Sequence, residues 1–170
     1  SDEDIDLLKK YDVVVAHNPI SNMKLHSGYA PIEKFIKAGI RVTIGTDGTS
    51  SNNNLDMREE MKFASMLGKL YGEADSLPVD IMMQMACENG AQAFGIDGGK
   101  IEEHKVADCI LIDLNHHSMQ PCYNLLSNWV YSANSGIINT VICNGNILME
   151  NHKVDFEEDL IQEIKQRYHR

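Results

Sequence analysis

The stretch from Val13 to Gly48 restricts the possible folds more than any other part of the chain. Val13-Val14-Val15-Ala16 is a continuous apolar run of strand type that His17-Asn18-Pro19 closes, and Ile40-Arg41-Val42-Thr43-Ile44 is a second, β-branched one. Between them Pro31 opens the segment Ile32-Glu33-Lys34-Phe35-Ile36-Lys37-Ala38 and Gly39 closes it, the order expected of Pro at the first helical position and Gly just past the last. Strand, helix and strand within about 30 residues make a βαβ unit, whose strands must be parallel and whose crossover must be right-handed. The unbroken apolar character of the first run predicts that it is buried on both faces. The fold class is therefore α/β.

Flanking segments extend this reading. Ile5, Leu7, Leu8 and Tyr11 among acids and lysines predict a short amphipathic helix over 4–11. Ser50-Ser51-Asn52-Asn53-Asn54 reads as loop and cap material before a long helix from about Leu55 to Tyr71, where Asp56 and Glu59 have the spacing of a capping box. Another helix starts near Pro78 and carries Ile81, Met82, Met85 and Ala86 on one face. From Gly98 the pattern turns to short β segments: Val106 to Leu114, Thr140 to Cys143 and Asn146 to Met149. The Asn144-Gly145 pair between the last two is a strong hairpin signal, because both turn positions need positive φ. Asp155 and Glu158 can cap a final helix in which Phe156, Leu160, Ile164 and Tyr168 recur every four residues. The chain thus divides into 1–97 with the β/α units and following helices, 98–150 with β segments, and 151–170 with the amphipathic helix.

Composition excludes several functions. With 170 residues, 43% of them hydrophobic, there is material for about one domain with a core. Fifteen Lys and Arg against 25 Asp and Glu give a net charge of −10, which disfavours nucleic acid and anionic membrane as partners because phosphate would be repelled. No run reaches the ~20 apolar residues of a membrane span, and the opening Ser1-Asp2-Glu3-Asp4 is not a signal peptide, so a soluble cytoplasmic protein is expected. The start without Met predicts a chain cut from something longer. Cys87, Cys109, Cys122 and Cys143 stand 13 to 22 residues apart with no Cys-x-x-Cys, and read as buried thiols in a reducing compartment.

In parallel α/β folds functional groups gather at the carboxyl edge of the strands. His17 and Asp47 both stand there, at the ends of strands whose backbones would lie about 4.8 Å apart. A carboxylate in that place can bind a metal or take a proton from water, and a histidine can donate a hydrogen bond, shuttle a proton or add a ligand. Asp47-Gly48 could instead be a hairpin turn, but polar residues and a helix follow, not a second strand. His17 could equally be a hydrogen-bonded strand-end residue without a chemical role. His104, His116-His117, His152 and His169 lack metal-ligand spacing and read as surface residues, and the nine methionines read as adaptable core filling. There is no Ser-His-Asp order, P-loop or dinucleotide fingerprint.

Three blocks taken together go further. His17-Asn18-Pro19-Ile20-Ser21-Asn22-Met23-Lys24-Leu25, then Gly45-Thr46-Asp47-Gly48 with Ser51-Asn52-Asn53 and Leu55-Asp56, then Gly99-Lys100-Ile101-Glu102 leading to Ala107-Asp108, closely resemble the amidohydrolase superfamily. The nearest branch is the chlorohydrolase-like aminohydrolases, and within it the 5-methylthioadenosine/S-adenosylhomocysteine deaminases. The resemblance runs through essentially the whole chain. It implies the C-terminal part of a (β/α)8 metal-dependent hydrolase barrel plus part of a small β-sandwich, the strands before His17 and Asp47 being the seventh and eighth of the barrel. Asp47 then matches the aspartate that binds the divalent metal, most commonly zinc, and accepts a proton from the attacking water. His17 matches a position bordering the substrate pocket. His104 stands where the family usually has Gly, a departure that concerns the shape of that turn.

The family's His-x-His pair, its other metal-binding histidine, its acid/base Glu and its strand-six His have no counterpart among these residues. One carboxylate cannot hold zinc, since catalytic sites use about three protein ligands, and two strands cannot close an eight-stranded barrel. The resemblance therefore implies a hydrolytic deaminase of adenine nucleosides that releases ammonia, inactive and without stably bound metal as the separate chain. A guanine or cytosine deaminase, or a triazine chlorohydrolase-like enzyme, is the alternative within that class. A non-catalytic assembly domain is the alternative outside it, because open strand edges invite homo-oligomers or association with a partner.

Overall fold

A computed structural model describes residues 1–168; His169 lies outside the described residues. The βαβ unit is present. Strand β1 (Val15–His17) pairs in parallel with β2 (Val42–Ile44) in the register Val15 to Val42 and His17 to Ile44. Helix α1 (Asp2–Lys10) precedes them; Ser1 caps it and Asp4 completes a capping box. Between the strands come α2 (Pro19–Lys24) and the crossover helix α3 (Ile32–Lys37). Pro31 sits at the N-cap of α3, one place earlier than expected, and Gly39 has φ +82, a left-handed conformation that glycine adopts without steric cost.

Helix α4 (Thr49–Asn52) follows β2, and the long helix α5 (Met57–Tyr71) begins behind it. Half of the expected capping box forms: the Asp56 carboxylate accepts from the amides of Arg58 and Glu59 at 2.9 and 3.1 Å. The Glu59 side chain instead bonds Asn54. Helices α6 (Val79–Ala86) and α7 (Glu88–Ala93) complete a layer that packs on one face of the strand pair.

Strand alternation explains which face is covered. Val15, Val42 and Ile44 turn to the helices and join their core, whereas Ala16 and its partner Thr43 turn to the opposite side, where Ala16 is exposed. The expectation that Val13–Ala16 is buried on both faces is therefore wrong for this chain: Val13 is 39% exposed and Ala16 is exposed, while Val15 packs against the core. A barrel interior is filled by side chains from all its strands, and two strands contribute only Ala16 and Thr43.

The second sheet is antiparallel, with β3 (Cys109–Ile112), β4 (Ile138–Cys143) and β5 (Asn146–Met149) in that spatial order. Asn144 and Gly145 have φ of 47 and 76, as the hairpin reading requires. Asp108 steadies this turn by accepting from the Asn144 amide at 2.6 Å. His104 has φ 66, so the turn keeps the left-handed form suited to Gly with a histidine in it.

The stretch between β3 and β4 contains a 3-10 turn at His117–Met119, the short helix α8 (Leu125–Ser127), a π turn at Asn128–Ser132 and another 3-10 turn at Ser135–Ile137. Sequence periodicity gives no sign of these short turns, yet Met119, Trp129, Val130 and Ile137 are buried and share a core with Met61 and Met85. Helix α9 (Glu157–Tyr168) ends the described chain with no buried residue. The cysteines correct another expectation: all four are free, three are exposed and Cys109 is half-buried. They fall at a helix junction, in a loop and on a sheet whose face is open.

Candidate functional site

The carboxyl ends of β1 and β2 meet as the parallel pairing dictates, with the Gly45 amide donating to the His17 carbonyl at 3.0 Å. Asp47 lies two residues beyond, exposed, with φ 60. Asp is one of the few residue types that tolerates this backbone region, and here it turns the chain away from the strand. The Asp47 carboxylate accepts from the Ser21 hydroxyl at 2.7 Å and from the Gly48 amide at 2.7 Å. Its pKa is held below the ordinary aspartate value by the Ser21 hydroxyl first, then by the Ser51 hydroxyl and the Gly48 amide. Asp47 is thus an ionised, exposed carboxylate with lone pairs left for a ligand.

The block from Asn18 to Lys24 grips the Asp47 turn. Pro19 starts α2 rather than ending the segment, which brings Ser21 to Asp47, while Lys24 Nζ donates to the Ser50 carbonyl at 3.0 Å and to the Asn53 side chain. A Cβ on Gly45 would meet the end of the Asn18 side chain, which glycine leaves room for beside the end of β2. Glu60 of α5, fully buried, accepts from the Ile20 amide at 3.1 Å and from Asn52 Nδ2. The same Asn52 nitrogen donates to the Thr46 carbonyl at 2.7 Å. Burial pushes the Glu60 carboxyl above the usual glutamate range, against the hydrogen bonds from Ile20 and Asn52 that favour its ionised form.

His17 is 2% exposed, and neither ring nitrogen has a hydrogen-bond partner in the described chain. Alternation along β1 places it with Val15, on the helix-covered side rather than beside Ala16. The structure therefore brings the strand ends of His17 and Asp47 together, but joins Asp47 by hydrogen bond to Ser21 and not to the imidazole. Burial pushes the His17 pKa down from 6.5 to about 4. Below pH 6.5 the unfolded chain binds a proton that the folded one refuses until about pH 4, so stability is full above pH 6.5 and is lost as pH falls through this window. At ~1.4 kcal/mol per pH unit the loss amounts to about 3 kcal/mol. Urea titrations at pH 7 and pH 4.5 should show the His17→Leu variant losing less stability on acidification than the parent; equal losses would contradict the buried neutral imidazole.

Among the described residues no group of three His, Cys, Asp or Glu is placed to hold a metal ion. Asp47 offers one oxygen donor beyond the end of β2, and a zinc site would need further ligands. His116 and His117 join no such group: His116 caps its 3-10 turn by accepting from the Ser118 amide at 3.2 Å, and its ring lies 4.1 Å from that of His117.

The model of the amidohydrolase family matches residues 1–148. The chain belongs to the amidohydrolase family. It is 49% identical over 168 residues to the 5'-deoxyadenosine deaminase of Methanosphaera stadtmanae, covering 97% of this chain and 40% of that protein. It is 44% identical over 162 residues to the 5-methylthioadenosine/S-adenosylhomocysteine deaminase of Aquifex aeolicus, covering 93% of this chain and 38% of the relative. A crystal structure of an adenosine deaminase from Xanthomonas campestris with bound zinc superposes with a TM-score of 0.91 at 32% identity, over 98% of this chain and 39% of that one. The chain thus spans about two fifths of the length of these proteins, and its two β/α units and antiparallel sheet are a portion of the amidohydrolase (β/α)8 fold. Among the described residues no helix is long and apolar enough to cross a membrane.

Sequence reading missed Ser21, Asn52 and Glu60 as parts of the site. For Glu60 a signal existed: it stands four residues before Ala64 and eight before Gly68, inside the buried stripe of α5, where a carboxylate is out of place.

Proposed function

We propose that this chain works as the C-terminal part of a cytoplasmic, metal-dependent hydrolytic deaminase of adenine nucleosides such as 5'-deoxyadenosine or 5-methylthioadenosine. The observation that carries this reading is the 44–49% identity, across nearly the whole chain, to relatives named for those substrates. Water adds to the carbon bearing the exocyclic amine, the C–N bond breaks, and ammonia leaves with a carbonyl in place of the amine. Asp47 orients the attacking water and takes its proton; its exposed carboxylate, kept ionised by Ser21 and Gly48, suits both tasks. A divalent ion, zinc by the family's chemistry, would be held by Asp47 with ligands from outside this chain and would supply Lewis acidity that lowers the pKa of water toward ~7. His17 is a buried neutral imidazole on the helix-covered side of β1, behind the strand ends, and supports the site from beneath. The group that protonates the leaving nitrogen belongs to the rest of the enzyme.

Assayed against a panel of adenine nucleosides, guanine, cytosine and a chlorotriazine, the complete enzyme should release ammonia from the adenine nucleosides with the highest kcat/KM. Preference for any other member of the panel would move the reading to the corresponding alternative.

The isolated 170-residue chain is expected to show neither tight stoichiometric zinc nor ammonia release. Among the described residues both outer edges of the β1–β2 pair are unpaired and the second sheet exposes Ile110, Leu111, Ile147 and Leu148, so the chain alone should associate in solution. Light scattering that returned a monomer, or zinc retained through dialysis against chelator, would contradict this expectation.

A further inference from the structure

We propose that Glu60 is a positioning residue for Asp47, its enclosed carboxylate clamping together the two segments that hold the aspartate in place. The inference rests on the reading of Asp47 as metal ligand and proton acceptor. Glu60 is 0% exposed and forms no ion pair among the described residues. An enclosed carboxylate without a cation is costly unless its hydrogen bonds are well made. Here one oxygen accepts from the Ile20 amide in the first turn of α2, and the other from Asn52 Nδ2 at the end of α4. Each bond leads to Asp47 by a short route. Ile20 is followed by Ser21, whose hydroxyl donates to the Asp47 carboxylate, and Asn52 Nδ2 uses its second hydrogen on the carbonyl of Thr46, the residue before Asp47. Side chain and backbone of the aspartate are thus held from one buried group on α5.

Only a carboxylate completes this arrangement. Both neighbours of Glu60 are N–H donors, so an amide in its place would set its own NH2 against one of them. If the Gln oxygen kept the Ile20 amide, Asn52 would have to turn its oxygen toward the new NH2. That would bring the Asn52 oxygen against the Thr46 carbonyl and break the bond nearest Asp47.

The test uses the complete, zinc-loaded enzyme with Glu60→Gln, Glu60→Asp and Asn52→Ala. Groups behind a metal ligand typically change affinity or rate 10–100-fold. Glu60→Gln should lower kcat by about that factor with KM within about threefold, and speed zinc release to a chromogenic chelator about tenfold. Glu60→Asp, which keeps two acceptor oxygens, should recover part of both losses. Should Glu60→Gln fail to fold, Asn52→Ala decides, because it removes the bond to Thr46 and leaves that of Glu60 to Ile20 intact. Unchanged kcat and zinc-release rate in a folded variant overturn the clamp, and so does a loss confined to the denaturation midpoint. A wild-type enzyme that holds zinc but deaminates no adenine nucleoside would remove the deaminase reading alone; the zinc-release comparison would still judge the clamp.

Discussion

Replacing Asp47 with Asn in the complete enzyme is expected to lower kcat/KM about 10³-fold, the scale of losing a positioned general base, while leaving the fold intact. The substitution is close to isosteric. Asn tolerates the left-handed backbone that Asp47 adopts at φ 60. Its carbonyl oxygen can take the Gly48 amide, and its NH2 can donate to Ser21 Oγ with the direction of that hydrogen bond reversed. What disappears is the negative charge and the capacity to hold a proton. Steady-state ammonia release, zinc analysis and a thermal melt on the same preparation check the prediction. Activity within tenfold of wild type would mean that another group takes the proton. A melting temperature lowered by more than about 5 °C would mean that Asp47 is a structural residue.

The second large effect concerns stability. Met82→Ala should cost about 2–5 kcal/mol, a substantial part of a typical domain's net stability. Met82 is 0% exposed on α6, the helix that packs against both α5 and β2. Truncation leaves a cavity in the core that Met82 shares with Met61 and Met85, and α5, which carries both Met61 and Glu60, cannot move freely into it. Urea denaturation should show a lower midpoint with an unchanged slope. The cost should also reach the site, since α5 ties down α2 and α4 through Glu60. A loss below about 1 kcal/mol would show that the flexible methionines around it fill the gap.

How far the sequence can be read differs from element to element, and the reason is physical. The βαβ unit and the Asn144-Gly145 hairpin rest on local rules, Gly39 and Gly145 occupying backbone regions that few residues enter, and both appear in the structure. Helix α2 escaped because Pro19 reads as a stop signal after a strand, whereas the same ring geometry suits a first helical residue. The 3-10, π and short α turns between β3 and β4 leave no periodic trace, since each is shorter than the repeat a pattern needs, yet they bury Trp129 and Ile137. The position of Asp47 just beyond the second strand was legible from the sequence. Ser21 and Glu60 bond residues 26 and 40 positions away, so their partners lie beyond any local window even where, as for Glu60, the residue itself stands out; Asn52 bonds Thr46 only six positions back but reads as ordinary loop and cap material. The expected burial of Val13 and of the cysteines failed for a different reason: an apolar or thiol side chain states a preference for burial, and whether a neighbour covers it depends on the rest of the fold.

The most direct test of the proposed activity is the product balance of the complete enzyme, loaded with zinc and supplied with 5'-deoxyadenosine. Ammonia and the corresponding 6-oxopurine nucleoside are expected in equal amounts, at a rate lowered about 10³-fold by Asp47→Asn. Nucleoside consumed without ammonia, or ammonia released undiminished by the Asp47→Asn enzyme, would contradict the proposed activity.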